Sequence, residues 1–152
     1  MIQDITIKNF GLIKHSSFSL NHGLFAVVGA TGAGKSMLLK AIAFLFGLRH
    51  NVEAPQDAED TYVSCRLAYN AWSSLKKCLD DKVLAKISES NTDSIVLERR
   101  FSEKRARAFI QGVLITKAQL IKISAQLVYI HHQHQHLSFQ SSTTQREYLD
   151  GF

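Results

Sequence analysis

The stretch GATGAGKS, Gly29 to Ser36, constrains this chain more than any other. It follows the apolar run LFAVV, Leu24 to Val28, and leads into KSMLLKAIAFLFGL. Gly29, Gly34, Lys35 and Ser36 satisfy G-x-x-x-x-G-K-[ST] (the Walker A pattern) at every fixed position, with an expected strand before and an expected helix after. Glycines let backbone N–H groups approach phosphate oxygens without a Cβ in the way. The helix N-terminus adds its partial positive charge. In this pattern Lys35 reaches the β- and γ-phosphates and Ser36 ligates Mg²⁺. A chance glycine-rich turn would not explain the flanking strand and helix, so phosphate binding is the expected role. The motif alone leaves open whether hydrolysis follows.

Around the loop, the chain reads as one α/β domain, the default for 152 residues. Alternation predicts strands over Ile2–Ile7, LIKHSSFSL and TYVSCRLAYN. LFAVV reads as a buried central strand. The helix after the loop is apolar nearly all round and is expected to be deeply buried, with Gly47 marking its end. The polar segment 49–60, holding the only proline, Pro55, reads as a loop. Leu75, Leu79, Val83 and Ile87 recur every four residues and predict one amphipathic helix from Trp72 to Ser88. SIVLERRF and RARAFIQG predict a hairpin with Ser102 to Lys104 at its tip. Thr116 and Gln119 form a capping-box pattern opening KAQLIKISAQL. LVYIHHQH reads as a further strand, and Thr144 with Glu147 repeats the capping pattern for a last helix.

The net charge of +5 weakly favours a polyanionic partner. Its distribution says more, because Arg99, Arg100, Lys104, Arg105 and Arg107 crowd the hairpin. These five are the candidate contacts to DNA phosphate, and the contact would be sequence-independent because no base-reading element is evident. The competing reading is a solvated strand face with a charged turn. Phe101 and Phe109 are expected in the core rather than as base-stacking platforms. Two cysteines, Cys65 and Cys78, make no disulfide framework or metal spacing, which predicts a reduced, cytoplasmic protein. No secretory signal and no stretch long enough to span a bilayer is present in the sequence, so no membrane partner is expected. His131, His132, His134 and His136 could place three imidazoles on one strand face and bind zinc, but a histidine-rich strand without a metal is preferred.

IKNFGLI, GATGAGKS, ERRFSEKRARAFIQGVLIT and LVYIHHQHQHLSFQSSTTQREYLDGF, taken in order, resemble the N-terminal part of the RecN family. That family comprises bacterial DNA double-strand-break repair and recombination ATPases related to SMC proteins. The resemblance covers nearly the whole chain and is weakest between Arg49 and Ser94. It implies a P-loop NTPase fold of the ABC/SMC head type, of which residues 1–152 would be the N-terminal lobe, with a mixed β-sheet and flanking helices. ATP and Mg²⁺ are the implied cofactors. Gly29, Ala30, Thr31, Gly32, Ala33, Gly34, Lys35 and Ser36 match the family's phosphate loop. Gln133 matches the glutamine that contacts Mg²⁺ and senses the γ-phosphate, so Ser36 and Gln133 are the implied metal ligands. The implied partners are the C-terminal lobe of the same head, a second head in a homodimer, and DNA in the nucleoid. The chain departs from the family's usual pattern at Ala30, Tyr129, His132 and Gln135.

Hydrolysis requires carboxylates that hold Mg²⁺ through water and orient the attacking water. The only local candidate is Glu98, at the end of SIVLE, and an ordinary strand of the basic hairpin is the preferred reading there. No LSGG-type signature and no long heptad run occur in the sequence. The chain stops at YLDGF, about where the resemblance places the start of a coiled coil. The expectation is therefore half of a composite ATP site, with ATP hydrolysis only when the C-terminal lobe and a second head complete it. The alternatives are a small self-contained phosphotransferase and a decayed, non-catalytic fragment.

Overall fold

A computed structural model describes residues 2–20, 23–30, 34–48, 60–87, 94–103 and 105–128. Six strands form one sheet in the order β2-β1-β3-β4-β5-β6. They are β1 (Ile2–Phe10), β2 (Ile13–Ser19), β3 (Thr61–Ala68), β4 (Ser94–Ser102), β5 (Arg105–Ile110) and β6 (Val113–Ile115). Every pairing among them is antiparallel. The helices are α1 (Lys35–Leu45), the single turn α2 (Trp72–Leu75), α3 (Asp81–Ile87) and α4 (Lys117–Leu127).

Strand alternation gives the sheet two unlike faces. Ile5 and Ile7 of β1, Val63, Cys65 and Leu67 of β3, Ile95 and Leu97 of β4, and Ile110 of β5 all point to one side. There they meet Phe44 and Leu45 of α1, Leu75 of α2, and Leu120 and Ile123 of α4 in a single core cluster. Cys65 sits in the middle of this core, and burial pushes its thiol up to about 12.

Three sequence expectations meet a different structure. Leu24 to Val28 form no strand: Leu24 is 98% exposed and Val28 87%. An apolar strand is stable only when flanking strands take its N–H and C=O groups, and no strand of the described sheet pairs with this segment. Among the described residues the sheet is antiparallel. Second, the helix expected from Trp72 to Ser88 is broken. Lys76–Cys78 tighten into a 3₁₀ turn and Leu79 is extended at φ −112°, ψ 149°. The chain re-enters a helix at Asp81, with the Asp80 carbonyl accepting from Val83 and Leu84. The Asp80–Asp81 pair favours a new helix start over helix interior. Third, α1 is buried only in its C-terminal half, at Ala41, Ala43, Phe44 and Leu45, while Leu39 is 53% exposed.

β6 has no counterpart in the sequence reading. Gln111 (φ 49°) and Gly112 (φ 74°) both take left-handed geometry between Ile110 and Val113, which pair directly. Two positive-φ residues make the tight turn that matches strand twist. At the start of α4, Thr116 Oγ1 accepts from the Gln119 N–H at 3.2 Å, and Gln119 Oε1 accepts from the Thr116 N–H at 2.8 Å. The predicted capping box is therefore present.

Candidate functional site

α1 begins at Gly34, which holds φ 87° and ψ 2°, a left-handed conformation that side chains resist. No side chain caps this end and no acidic residue lies in the first turn. The positive end of the helix is thus left for an external anion. The Lys35 ammonium folds back over the preceding backbone and donates to the carbonyls of Gly29 and Ala30, the latter at 2.6 Å. Ser36 is exposed at the same end. Uncapped helix N–H groups, an ammonium and a free hydroxyl form a donor set suited to a polyphosphate with its metal ion. Among the sequence-predicted loop residues, Gly29, Ala30, Gly34, Lys35 and Ser36 are therefore brought together. Thr31, Gly32 and Ala33 lie outside the described residues, as do Gln133 and the histidines at 131–136. Among the described residues no group of histidine, cysteine or carboxylate side chains could hold a metal ion.

The other end of α1 is fastened. Gly47 (φ 67°) ends the helix, with its N–H donating to the Phe44 carbonyl and the Leu48 N–H to the Ala43 carbonyl. That is the paired closure expected of a glycine just past a helix. Ser124 Oγ of α4 lies 2.6 Å from the Phe46 carbonyl. Arg99 Nη1 donates to the Phe44 carbonyl, and its guanidinium lies 4.7 Å from the centre of the Phe44 ring. A cation at a helix C-terminus opposes the negative end of the dipole. Desolvation pulls the Arg99 guanidinium below its ordinary value.

Arg99 thereby parts from the other candidate DNA contacts. Neighbouring residues on a strand point to opposite faces, and Arg99 points into the molecule, where its guanidinium is engaged by α1. Arg100, Arg105 and Arg107 lie exposed. Lys104 lies outside the described residues. Glu98 is also on the outer face, bonded to Arg100 at 2.7 Å with its side chain only 8% exposed. It faces away from α1 and brings no carboxylate to the phosphate loop.

The register of the sheet assembles a row that the sequence reading missed. His15 pairs with Lys8, Lys8 with Tyr62, Tyr62 with Arg100, and Arg100 with Arg107. Directly paired residues share a face, so these five side chains form one line across β2, β1, β3, β4 and β5. Phe101 packs against the core as expected. Phe109 does not: it belongs to the outer face, where Arg100 lies 5.2 Å from its ring centre and 5.8 Å from that of Tyr62. The alternation of β5 carried the signal for Phe109, because Ala108 and Ile110 on either side are buried.

Comparison with known proteins fits this geometry. The chain is 30% identical over its whole length to DNA repair protein RecN of Rickettsia conorii and 28% identical to that of Xylella fastidiosa. It spans about a quarter, 27%, of the length of each of these relatives. Its fold is that of SMC heads. One solved chain, from work on ATP-driven dimerization and DNA-stimulated activation of SMC ATPases, superposes with a TM-score of 0.61 at 22% identity, covering 98% of this chain and 97% of that one. The Smc head of Pyrococcus furiosus, bound to the C-terminal domain of ScpA, also gives 0.61, at 20% identity, over 84% of this chain and 33% of the other. The model of the AAA domain matches residues 4–148, and the chain belongs to that family.

Proposed function

We infer that this chain is the ATP–Mg²⁺-binding half of a RecN-type ATPase head acting in repair of DNA double-strand breaks. The observation that carries the reading is the exposure of Leu24, Phe25, Val27 and Val28 immediately before the phosphate loop. An apolar segment with strand-like composition, exposed to solvent, is one whose pairing partners lie outside the described residues. The strands that would cover it are those of a C-terminal lobe, and the exposed Leu39 of α1 fits the same neighbour. Gly29, Thr31, Gly32, Ala33 and Gly34 offer backbone N–H groups to the phosphates, Lys35 neutralises their charge, and Ser36 with Gln133 holds the metal ion. Bound Mg²⁺ supplies charge neutralisation across the β- and γ-phosphates. Hydrolysis awaits the carboxylates of the C-terminal lobe and a second head in a homodimer. Sequence-independent DNA contact falls to the outer face of the sheet, through Arg100, Arg105 and Arg107; Lys104, outside the described residues, is the further candidate from the sequence. The setting is the cytoplasm, at the nucleoid; among the described residues no helix is long and apolar enough to cross a membrane.

Titration with a fluorescent ATP analogue and Mg²⁺ tests the reading. Lys35→Ala should weaken binding by about tenfold or more, since it removes a charge-assisted contact to phosphate. Steady turnover by the 152-residue chain alone, abolished by Lys35→Ala, would overturn the half-head assignment.

A further inference from the structure

We propose that the outer face of the sheet is a binding site for single-stranded DNA, with a base stacked on Tyr62, Arg100 and Phe109 and the backbone lying along the row from His15 to Arg107. The proposal rests on the reading of DNA as a partner and adds which form of DNA the face takes.

Three observations carry it. The first is the row itself. With strands about 4.8 Å apart, five paired positions span about 19 Å. Lys8, Arg100 and Arg107 are exposed along it, and Arg105 stands two pairs further along the same hairpin, on the same face, opposite Ser102. The second is the interleaving of flat groups. Arg100 sits against both the Tyr62 and Phe109 rings, and neither ring belongs to the core cluster. Two aromatics outside the core thus lie beside one guanidinium, and bases stack on aromatic rings and guanidinium planes alike. The third is shape. These side chains line an open cleft of about 560 Å³, within the range that holds one small ligand.

The platform decides between strand forms. In a duplex the base faces are covered by their neighbours, so a duplex can use the cations but not the rings. An unpaired strand uses both. A merely solvated face would explain the charges and leave the two rings unexplained. The acidic residues do not cancel the site. Among the described residues Asp60 is the one carboxylate lining the cleft, against Lys8, Arg100 and Arg107. Glu98, on the same face, accepts from one Nη of Arg100, leaving the guanidinium's other donors. Glu103 meets Arg107 at 3.3 Å in an exposed pair, a contact that yields readily to phosphate.

The test compares a fluorescein-labelled oligothymidylate of about twelve nucleotides, within the usual site size for such surfaces, with a duplex of the same length, by anisotropy at two salt concentrations. The single strand should bind about tenfold tighter or more, as one stacked base provides. The double variant Tyr62→Leu, Phe109→Leu should remove that preference while leaving duplex affinity unchanged. Lys8→Gln with Arg107→Gln should weaken both ligands and lower the salt dependence by about two phosphate contacts. Circular dichroism checks that each variant is folded. Independently, an oligonucleotide carrying 5-iodouracil should crosslink to Tyr62 or Phe109 on irradiation, and crosslinks confined to other residues would overturn the proposal. A duplex that binds as tightly as the single strand, or a preference that survives the leucine pair, overturns the single-strand assignment and leaves the DNA reading standing. Tighter binding of oligouridylate than oligothymidylate overturns the assignment to DNA. Failure to bind either form at low salt removes the DNA reading and this proposal together.

Discussion

The six-stranded sheet and the segment Leu24–Val28 are both rich in apolar residues, yet they meet opposite fates. Leu97 has strands on both sides and helices over it, and it is fully buried. Leu24 is almost fully exposed. Hydrophobic composition is the same kind of information in both places. What differs is whether the described residues include the neighbours that would take the backbone groups and cover the side chains. A stretch can be strand-like in every local respect and still form no strand, because a strand is a property of a pairing.

Substitutions at the two sites should separate them. Leu97→Ala leaves a cavity between the sheet and its helices and should cost about 3 kcal/mol in chemical denaturation; a cost near zero would mean that the sheet is not the stable unit. Arg99→Ala removes a charged hydrogen bond to the end of α1 and should cost about 2 kcal/mol, with Arg99→Lys recovering part of it. Arg100→Ala, on the solvent face of the same strand, should cost clearly less in the same assay. Stability should also fall as pH rises above the ordinary cysteine value near 9. The unfolded chain releases the Cys65 proton there while the folded chain retains it up to about 12. Between those values the slope should approach one proton, about 1.4 kcal/mol per pH unit, and Cys65→Ala should flatten it. Leu24→Ser should change stability by no more than about 0.5 kcal/mol; a loss comparable to that of Leu97→Ala would show that the segment is already part of a packed core.

What the sequence disclosed divides along the same line. Signals that act within a few residues were legible. Gly34 and Gly47 bracket α1, Thr116 and Gln119 cap α4, and the alternation of β1, β3, β4 and β5 is plain in their residues. Features set by partners distant in sequence were not. The row from His15 to Arg107 exists only because four registers align, and no one of those strands encodes it. Arg99 and Arg100 look alike in the sequence, and only the sheet's packing shows that one belongs to α1 and the other to solvent. The helical period from Leu75 to Ile87 was real as a pattern of burial, but Asp80 and Asp81 favoured a helix start over continuation. Phe109 was misplaced because aromatic character in a strand usually means core, and here it does not.

One consequence follows from the uneven fastening of α1. Eleven residues make a rod of about 16 Å, held at one tip by Arg99, Ser124 and the Gly47 closure and more exposed at the other, at Ser36 and Leu39. Such a rod is a lever. A tilt of about 4° at the anchored end carries the Lys35 end through about 1 Å, a distance that matters greatly to a group that must meet a phosphate. The aim of the phosphate loop is therefore governed by stiffness at the far tip. Because Arg99 belongs to β4, the stiffness that aims the loop is borrowed from the sheet.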